Sequence, residues 1–534
     1  GRSTPVPADA PPSAHVISST RKQIRAEQRR RLFPTIEYAS RVSHFDKNSD
    51  YHDFQGFFVL FWIALTIMAI TTMLRNIKDT GYPMRVQIWH LFTVKVWELG
   101  LADALMVTST GISLPLQRLF RSDFGKKIGL RWFGGGMAIQ SIYQAVWFVI
   151  WVADWTWTAQ VFLLLHTLVL LMKMHSYSFY NGHLSETERR LKALDNPRTA
   201  DKTPAYQYPR NGGFPSPLGE NKDAAKNPSS ELARLREDLA IELTSPMGSV
   251  TYPRNLTWSN YIDYLLCPTL CYELEYPRTE RIVWSELAAK VLAVFGVIFL
   301  LTIISEEFIL PVLSQSALRL ETVHSTGETL LILAESISML LWPFMVTFLL
   351  VFLVIFEYVL GACAEITRFS DRHFYDDWWN STDWLEFSRE WNIPVHHFFR
   401  RHVYSASRPH IGRPMATLIT FLISAIGHEI VMACITKKIR GYGFLAQMSQ
   451  LPIVMIQRTK WVKDRRLLNN VCFWCSMILG LSMILNHTLL SIRGNKTNLQ
   501  FRGVKVVSAD DLVEAYVGFT GGSFQMQVAV RLPI

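Results

Sequence analysis

Two stretches of this chain are too long and too apolar to form the inside of a soluble domain. Phe57 to Leu74 (FFVLFWIALTIMAITTML) carries no charged side chain, and neither does Met339 to Phe356 (MLLWPFMVTFLLVFLVIF). A helix needs about 18 or more such residues to cross roughly 30 Å of hydrocarbon, and both runs meet that length. Pro343 in the second run predicts a kink rather than a break, because neighbouring helices can satisfy the backbone groups it frees. The chain is therefore read as all-α, a polytopic transmembrane helical bundle.

Apolar runs of this kind recur at about 57–74, 91–114, 134–153, 157–175, 287–308, 328–362, 414–436, 442–458 and 467–486, which gives about nine spans. Positive charge gathers on the cytoplasmic side of such spans. With nine spans, RKQIRAEQRRR near the N-terminus shares a side with Arg118, Arg121, Lys126, Lys127 and Arg131. The same side holds Arg400, Arg401, Arg408 and Arg413, and also Lys460, Lys463, Arg465 and Arg466. Lys437, Lys438 and Arg440 run against the pattern. The N-terminus is expected in the cytosol and the C-terminus across the membrane.

Residues 1–50 are polar, Pro-rich and then Arg-rich, without a signal-peptide pattern, and are expected to be largely disordered. A Pro/Gly/Asn-rich run at about 185–228 reads as a disordered cytosolic linker. Leu232, Leu235, Leu239 and Leu243 follow it at helical spacing and predict a short amphipathic helix resting on the membrane or on a neighbour. Residues 487–534 form a polar tail. Six cysteines make no disulfide framework, and CFWC at 472–475 lies in an apolar run, where packing is the simpler reading.

Chemistry concentrates in FLISAIGHEIVMACI, residues 421–435. His428 lies about 21 Å along a helix begun at Pro414, deep in any bilayer, where an ionisable group marks a functional site by default. Thr417, Thr420, Ser424 and His428 recur at steps of three and four, so they share one stripe. Such a stripe also suits interhelical hydrogen bonding, but the addition of His428 and Glu429 favours a reaction site. The zinc-protease pattern needs a second histidine four residues on, and position 432 is Met. No G-x-S-x-G elbow is present. A lone imidazole in a dry cavity suits a general base acting on a hydroxyl, without a metal. A transporter using Lys95, Glu98, Glu335 and His428 as an ion path is the competing class. It predicts repeated, Gly/Pro-broken halves, which the sequence lacks.

A second segment, Arg368 to Tyr404, is crowded with aromatic and cationic residues and contains FYDDWWN, Phe374 to Asn380. Rings at headgroup depth are the plain reading of its tryptophans. A wall of rings beside Arg400, Arg401 and His402 would also receive a ligand with an acyl tail and a phosphorylated head.

FYDDWWN resembles the F-Y-x-D-W-W-N signature of the membrane-bound O-acyltransferases that esterify sterols and diacylglycerol, and SAIGHEI resembles the segment bearing that family's intramembrane histidine. KMHSYSFYNGHL, PTLCYELEYPRT and REWNIPVHHF are similar to the same family, and the resemblance covers roughly residues 50–486. EYPRTERIVW and the residues leading into FYDDWWN look most like its fungal sterol-esterifying members. The resemblance implies a membrane-bound O-acyltransferase domain over 51–486. It implies transfer of a long-chain acyl group from acyl-CoA, a co-substrate rather than a bound cofactor, to a sterol such as ergosterol or cholesterol. It further implies an endoplasmic reticulum enzyme with a lumenal C-terminus and a homo-oligomeric assembly, and no nucleic-acid partner is expected. His428 takes the role of catalytic base and Asn380 holds the reacting groups. Phe374, Trp379, Asn392, His396, Tyr404 and Ser424 fall at acyl-CoA positions, with Glu429 in support. PTLCYEL keeps diacylglycerol open as the acceptor. The apolar neighbours of His428 (Ile423, Ala425, Ile426, Gly427, Ile430 and Val431) suggest the lining of a sterol slot.

Overall fold

The computed structural model describes residues 36, 38–46, 49, 55–84, 95–122, 143, 157–194, 228–323, 325–436, 439–459, 461–462 and 465–480. Among the described residues regular structure is helical, without strands, as hydrocarbon demands of a backbone that must satisfy its own hydrogen bonds. The first half holds α1 (Gln55–Thr80), α2 (Val96–Ser109), α3 (Ser113–Arg121), α4 (Trp157–Leu194), α5 (Pro228–Glu242) and α6 (Trp258–Leu266). Then follow α7 (Trp284–Ile304), α8 (Leu310–Thr322), α9 (Thr326–Phe352), α10 (Leu360–Ile366), α11 (Trp384–Glu390) and α12 (Ile393–Phe398). The last are α13 (Ser405–Thr436), α14 (Tyr442–Gln457) and α15 (residues 466–480).

Among the described residues six stretches are long and apolar enough to cross a membrane: Gly56–Thr80, Val96–Arg121, Ala159–Leu194, Trp284–Leu320, Thr326–Ile366 and Ile393–Cys434. They take up six of the nine expected spans. The expected span at 134–153 lies almost wholly outside the described residues. The eighth exists as α14, but its 16 residues reach only about 24 Å, less than the hydrocarbon thickness. Of the ninth, the described residues include α15, and residues 481–486 lie outside them. A count of nine is therefore not reached here.

Two expected loose regions are in part built into the fold. The helix α4 continues through residues 185–194, where a linker was expected, because Ser185, Thr187, Glu188 and Leu191 are buried. Glu188 pairs with Arg121 (3.1 Å) and Lys192 (2.8 Å) there. Within the N-terminal region, Arg41 bridges to Asp371 by backbone and side chain, so residues 38–46 form an arm lying on the later chain. The amphipathic helix is α5. It packs on α4, with Leu239 and, just past its end, Leu243 buried, whereas Leu235 on the same stripe is exposed.

Aromatic side chains fill the core around the FYDDWWN segment. Trp378 is fully buried against Trp391, with ring centroids 4.7 Å apart, and Phe352 and Phe348 close the cluster at 5.0 and 5.6 Å from Trp378. The first tryptophan of the pair is thus core, not part of a ligand-receiving wall. Three π-helical turns interrupt the long helices, at Ser305–Ile309, Leu353–Val359 and Phe399–Tyr404. The second of these includes the buried Glu357, which accepts from Ser43 Oγ (2.5 Å), Tyr375 Oη (3.0 Å) and Lys290 Nζ (3.3 Å).

Within α13 the chain breaks at Gly412, whose φ of 74° is left-handed and suits only glycine without strain. Pro414 then falls in the first turn of the resumed helix, where its missing N–H breaks no hydrogen bond.

Candidate active site

The polar stripe predicted along the helix is real and faces inward. Thr417, Thr420, Ser424 and His428 are all buried, while Leu418, Leu422, Ile423 and Ile426 on the opposite side are exposed. A helix in lipid turns its apolar face out and its polar face to protein, because lipid offers polar groups no partner. Ile423 and Ile426 therefore point away from the stripe and do not line a slot beside His428. Ala425 and Val431 are buried.

His428 Nδ1 lies 2.7 Å from the Ser424 carbonyl oxygen, one turn back. A carbonyl only accepts, so Nδ1 carries the proton, and in the neutral ring the lone pair sits on Nε2. Sequence spacing shows the stripe but not this tautomer, which comes from the helix's own backbone. The ring is 6% exposed.

The helix α14 packs along α13 and fixes this geometry. Glu429 accepts from the backbone N–H of Gly441 (2.6 Å) and Arg440 (3.1 Å) through Oε1, and from Phe444 (3.1 Å) through Oε2. These donors lie at the start of α14, where helical N–H groups lack intrahelical partners and the macrodipole favours negative charge. Glu429 thus closes the turn between two helices. Gly443, the second residue of α14, lies so close that a Cβ there would stand 3.1 Å from the His428 carbonyl carbon and oxygen. Gln447, fully buried, donates to Ser424 Oγ at 3.4 Å and accepts from Gln450 at 3.2 Å. Gln447 and Gly443 were not among the residues singled out from sequence. The signal was a run of polar residues, Gln447, Ser449 and Gln450, in a mainly apolar helix.

The loop bearing FYDDWWN is gripped on two sides. On one, the N-terminal arm holds it: Arg41 donates to both Asp371 oxygens (3.0 and 2.7 Å), and His44 Nε2 stands 3.2 Å from Asp376. On the other, Asn470 and Trp474 of α15 donate to the Trp379 carbonyl (3.0 and 3.2 Å), and Asn470 also reaches the Ser381 carbonyl at 3.0 Å. Asn380 sits between those two carbonyls. Its side chain is exposed, and its amide donates to Asp377 at 3.3 Å. Trp379 is half-buried beside Phe45 and Tyr375, and Phe374 is buried near Phe369. Leu385, Phe421 and Val454 form one apolar cluster, which ties the segment after the loop to the His428 helix and to α14.

The remaining predicted positions sort by role. Asn392 caps α12, its Oδ1 accepting from the Val395 N–H at 3.2 Å, a structural task for that side chain. His396 is buried on α12. Tyr404 is buried against Ala416 and Phe399, and its hydroxyl has no hydrogen-bond partner among the described residues. Arg401, expected among the cationic groups that receive a ligand, is instead buried. It donates to Glu273 (2.9 Å) and to the Tyr272 carbonyl (3.0 Å) and lies over the Tyr180 ring. An unpaired buried guanidinium is too costly, so the arginine finds a carboxylate. His402 Nε2 is 2.8 Å from Ser176 Oγ. The residues of the imagined ion path are dispersed into local pairs, Lys95 with Glu98 and Arg319 with Glu335, all partly exposed.

Acidic groups crowd the outer end of the loop. Hydrogen bonds from His373 and His44 hold the Asp376 carboxyl well below its usual range. Burial, with Glu386, Asp377 and Asp376 nearby, pushes Glu390 up to about 8. His44, His373 and Asp376 are grouped closely enough to hold a metal ion.

Residues 137–489 match the family model described as MBOAT, membrane-bound O-acyltransferase family. The chain is 38% identical over 479 residues to "Probable sterol O-acyltransferase 2" of Schizosaccharomyces pombe, covering 88% of this chain and 94% of that protein. It is 31% identical to "Sterol O-acyltransferase 2" of Candida albicans, over 85% of this chain and 78% of that one. A shorter likeness, 34% over 257 residues, joins it to "Diacylglycerol O-acyltransferase 1" of Dictyostelium discoideum, over 48% of this chain and 40% of the other.

Proposed function

Because the chain belongs to the membrane-bound O-acyltransferase family, and is thereby an acyltransferase, we propose that it moves a long-chain acyl group from acyl-CoA to the 3-hydroxyl of a sterol. The products are a sterol ester and free CoA. Two things support the sterol as acceptor: the likeness to proteins named sterol O-acyltransferases runs over most of both chains, and the likeness to the diacylglycerol enzyme runs over less than half of each. The site of action we propose is the endoplasmic reticulum membrane, with the N-terminus cytosolic, the C-terminus lumenal and the enzyme a homo-oligomer.

The observation that carries the mechanism is the bond from His428 Nδ1 to the Ser424 carbonyl. It leaves Nε2 as the basic nitrogen of a buried ring, the state a general base needs. The sterol oxygen attacks the thioester carbonyl as Nε2 takes its proton. The tetrahedral intermediate then loses CoA thiolate, which recovers that proton from the imidazolium as the C–S bond breaks. A thioester is already activated, so the step requires no protein nucleophile. Negative charge developing on the carbonyl oxygen needs a donor. Asn380 is the candidate, since its amide has a second N–H beside the one given to Asp377. Phe374, Trp379, His396 and Tyr404 are proposed to line the acyl-CoA path, with the Tyr404 hydroxyl poised for a ligand oxygen. Asn392 and Glu429 act by shaping the helices that carry the others.

Purified protein in micelles, given oleoyl-CoA with ergosterol, cholesterol or diacylglycerol, tests the substrate. Sterol ester should form well above triacylglycerol, and the reverse preference would overturn the acceptor assignment. His428→Ala should lower the rate about 100- to 10,000-fold, the usual contribution of a general base, with folding intact. A variant near wild type in rate refutes the base.

A further inference from the structure

We propose that His44, His373 and Asp376 form a binding site for a transition-metal dication of the zinc type, fastening the N-terminal arm to the FYDDWWN loop. The His44 Nε2 atom lies 3.2 Å from Asp376 Oδ1, and His373 Nε2 lies 3.6 Å from Asp376 Oδ2. One donor atom from each of the three residues falls within 4.8 Å of the others. Ligands held at about 2.0–2.1 Å around a tetrahedral zinc ion stand about 3.4 Å from one another. Each imidazole nitrogen stands at about that spacing from one of the two Asp376 oxygens, so a small turn of the carboxylate brings one oxygen into range of both. Two imidazole nitrogens with one carboxylate oxygen suit zinc, iron or copper, whereas magnesium and calcium prefer all-oxygen sites.

The donors are held in place independently of any ion. Arg41 and Asp371 clamp the arm three residues before His44 and the loop two residues before His373. Ser43, next to His44, bonds Glu357 and Tyr375 in the core. Bringing these groups together therefore adds little entropic cost to binding, the condition for a preformed site. Asp376 stands at the position that the F-Y-x-D-W-W-N signature leaves open, and His373 precedes the signature, so none of the three is needed for the acyl chemistry. Asp377, the next residue along the loop, adds negative charge, which favours a cation. Arg41 is an opposing charge. Its η nitrogen stands 3.5 Å from His373 Nδ1, a contact at the outer limit of a hydrogen bond. An ion on Nε2 puts the proton on Nδ1, so this contact must open while both bonds to Asp371 remain.

Full-length protein in micelles, tag removed and stripped with EDTA, is titrated with Co2+, followed by visible absorption and by displacement with Zn2+. Wild type should take up one ion per chain, with a melting temperature that rises on loading. His44→Ala and His373→Ala should each weaken binding by at least the roughly 10- to 100-fold that loss of a supporting residue costs. Both side chains are partly exposed, so the variants should fold, and their melting temperatures without metal check this. Asp376→Asn, nearly isosteric with the original, should lose binding as well. Equal Co2+ uptake by wild type and by the His44→Ala/His373→Ala double variant overturns the site, and no uptake by wild type overturns it too.

Discussion

Replacing Gly443 by Ala places one methyl group against the backbone that carries His428. The new Cβ would lie 3.0 Å from Met432 Cγ and 3.1 Å from the His428 carbonyl carbon and oxygen, against an ordinary contact of 3.4 Å or more. Met432 is a flexible side chain and yields, but a helix backbone does not. The two helices must therefore part by about 0.3–0.4 Å. If a misplacement of about 1 Å costs about 100-fold in rate, that shift lowers kcat by about four- to sixfold. Alanine gains up to about 1 kcal/mol over glycine within a helix, while overpacking costs about 1–3 kcal/mol, so the variant still folds. Gly427 supplies the control: it adjoins His428 in sequence, yet its added Cβ would meet nothing within 4 Å. Initial rates of sterol esterification at saturating oleoyl-CoA should fall for Gly443→Ala and stay at wild type for Gly427→Ala. If Gly443→Ala stays within twofold of wild type, or both variants slow alike, the close approach does not position the base.

Glu429→Ala removes the acceptor of three backbone N–H groups; at about 1.5–3 kcal/mol for each bond to a charged group, discounted for partial exposure, it should cost about 2–4 kcal/mol. The expected signature is a lower melting temperature with activity falling alongside, whereas His428→Ala should lose activity at an unchanged melting temperature. Glu390 has its carboxyl raised from 4.5 to about 8, so the folded state holds an extra proton between those values. Its contribution to stability is complete below 4.5 and is lost as pH rises through 8. Wild type should melt progressively lower from pH 5 to 8, and Glu390→Gln should flatten that slope. An unchanged slope in the variant would show that other groups set it.

What the sequence revealed depended on periodicity. The stripe from Thr417 to His428 was legible because helical spacing alone puts those residues on one face, and lipid on the other side decides which way they point. The six long apolar stretches were legible from their unbroken length instead. Contacts between distant segments left no local trace. Arg41 meets Asp371, and Asn470 meets the Trp379 carbonyl, across most of the chain or a large part of it, and nothing near either residue announces its partner. Composition also misled. Arg401 looked like a cytosolic cation beside a run of aromatics, but its fate was settled by Glu273, 128 positions away. Residues 185–194 read as one with the Pro/Gly/Asn-rich run that follows them, yet ion pairs to α3 and within α4 hold them in the helix.

The break at Gly412 also settles how the last long apolar stretch fits a bilayer. Its 42 residues would extend about 63 Å as one straight helix, about twice the hydrocarbon thickness. A rod of that length must tilt steeply or distort the membrane around it. Swivelling at Gly412 divides the load. The portion from Arg413 to Thr436 measures about 36 Å, a length that crosses with a modest tilt, and the portion before the swivel is free to take another direction. A bilayer a few Å thicker or thinner therefore strains only the later portion, the one that carries His428. Lipid thickness then reaches the base through the tilt of α13 together with α14, which packs along it.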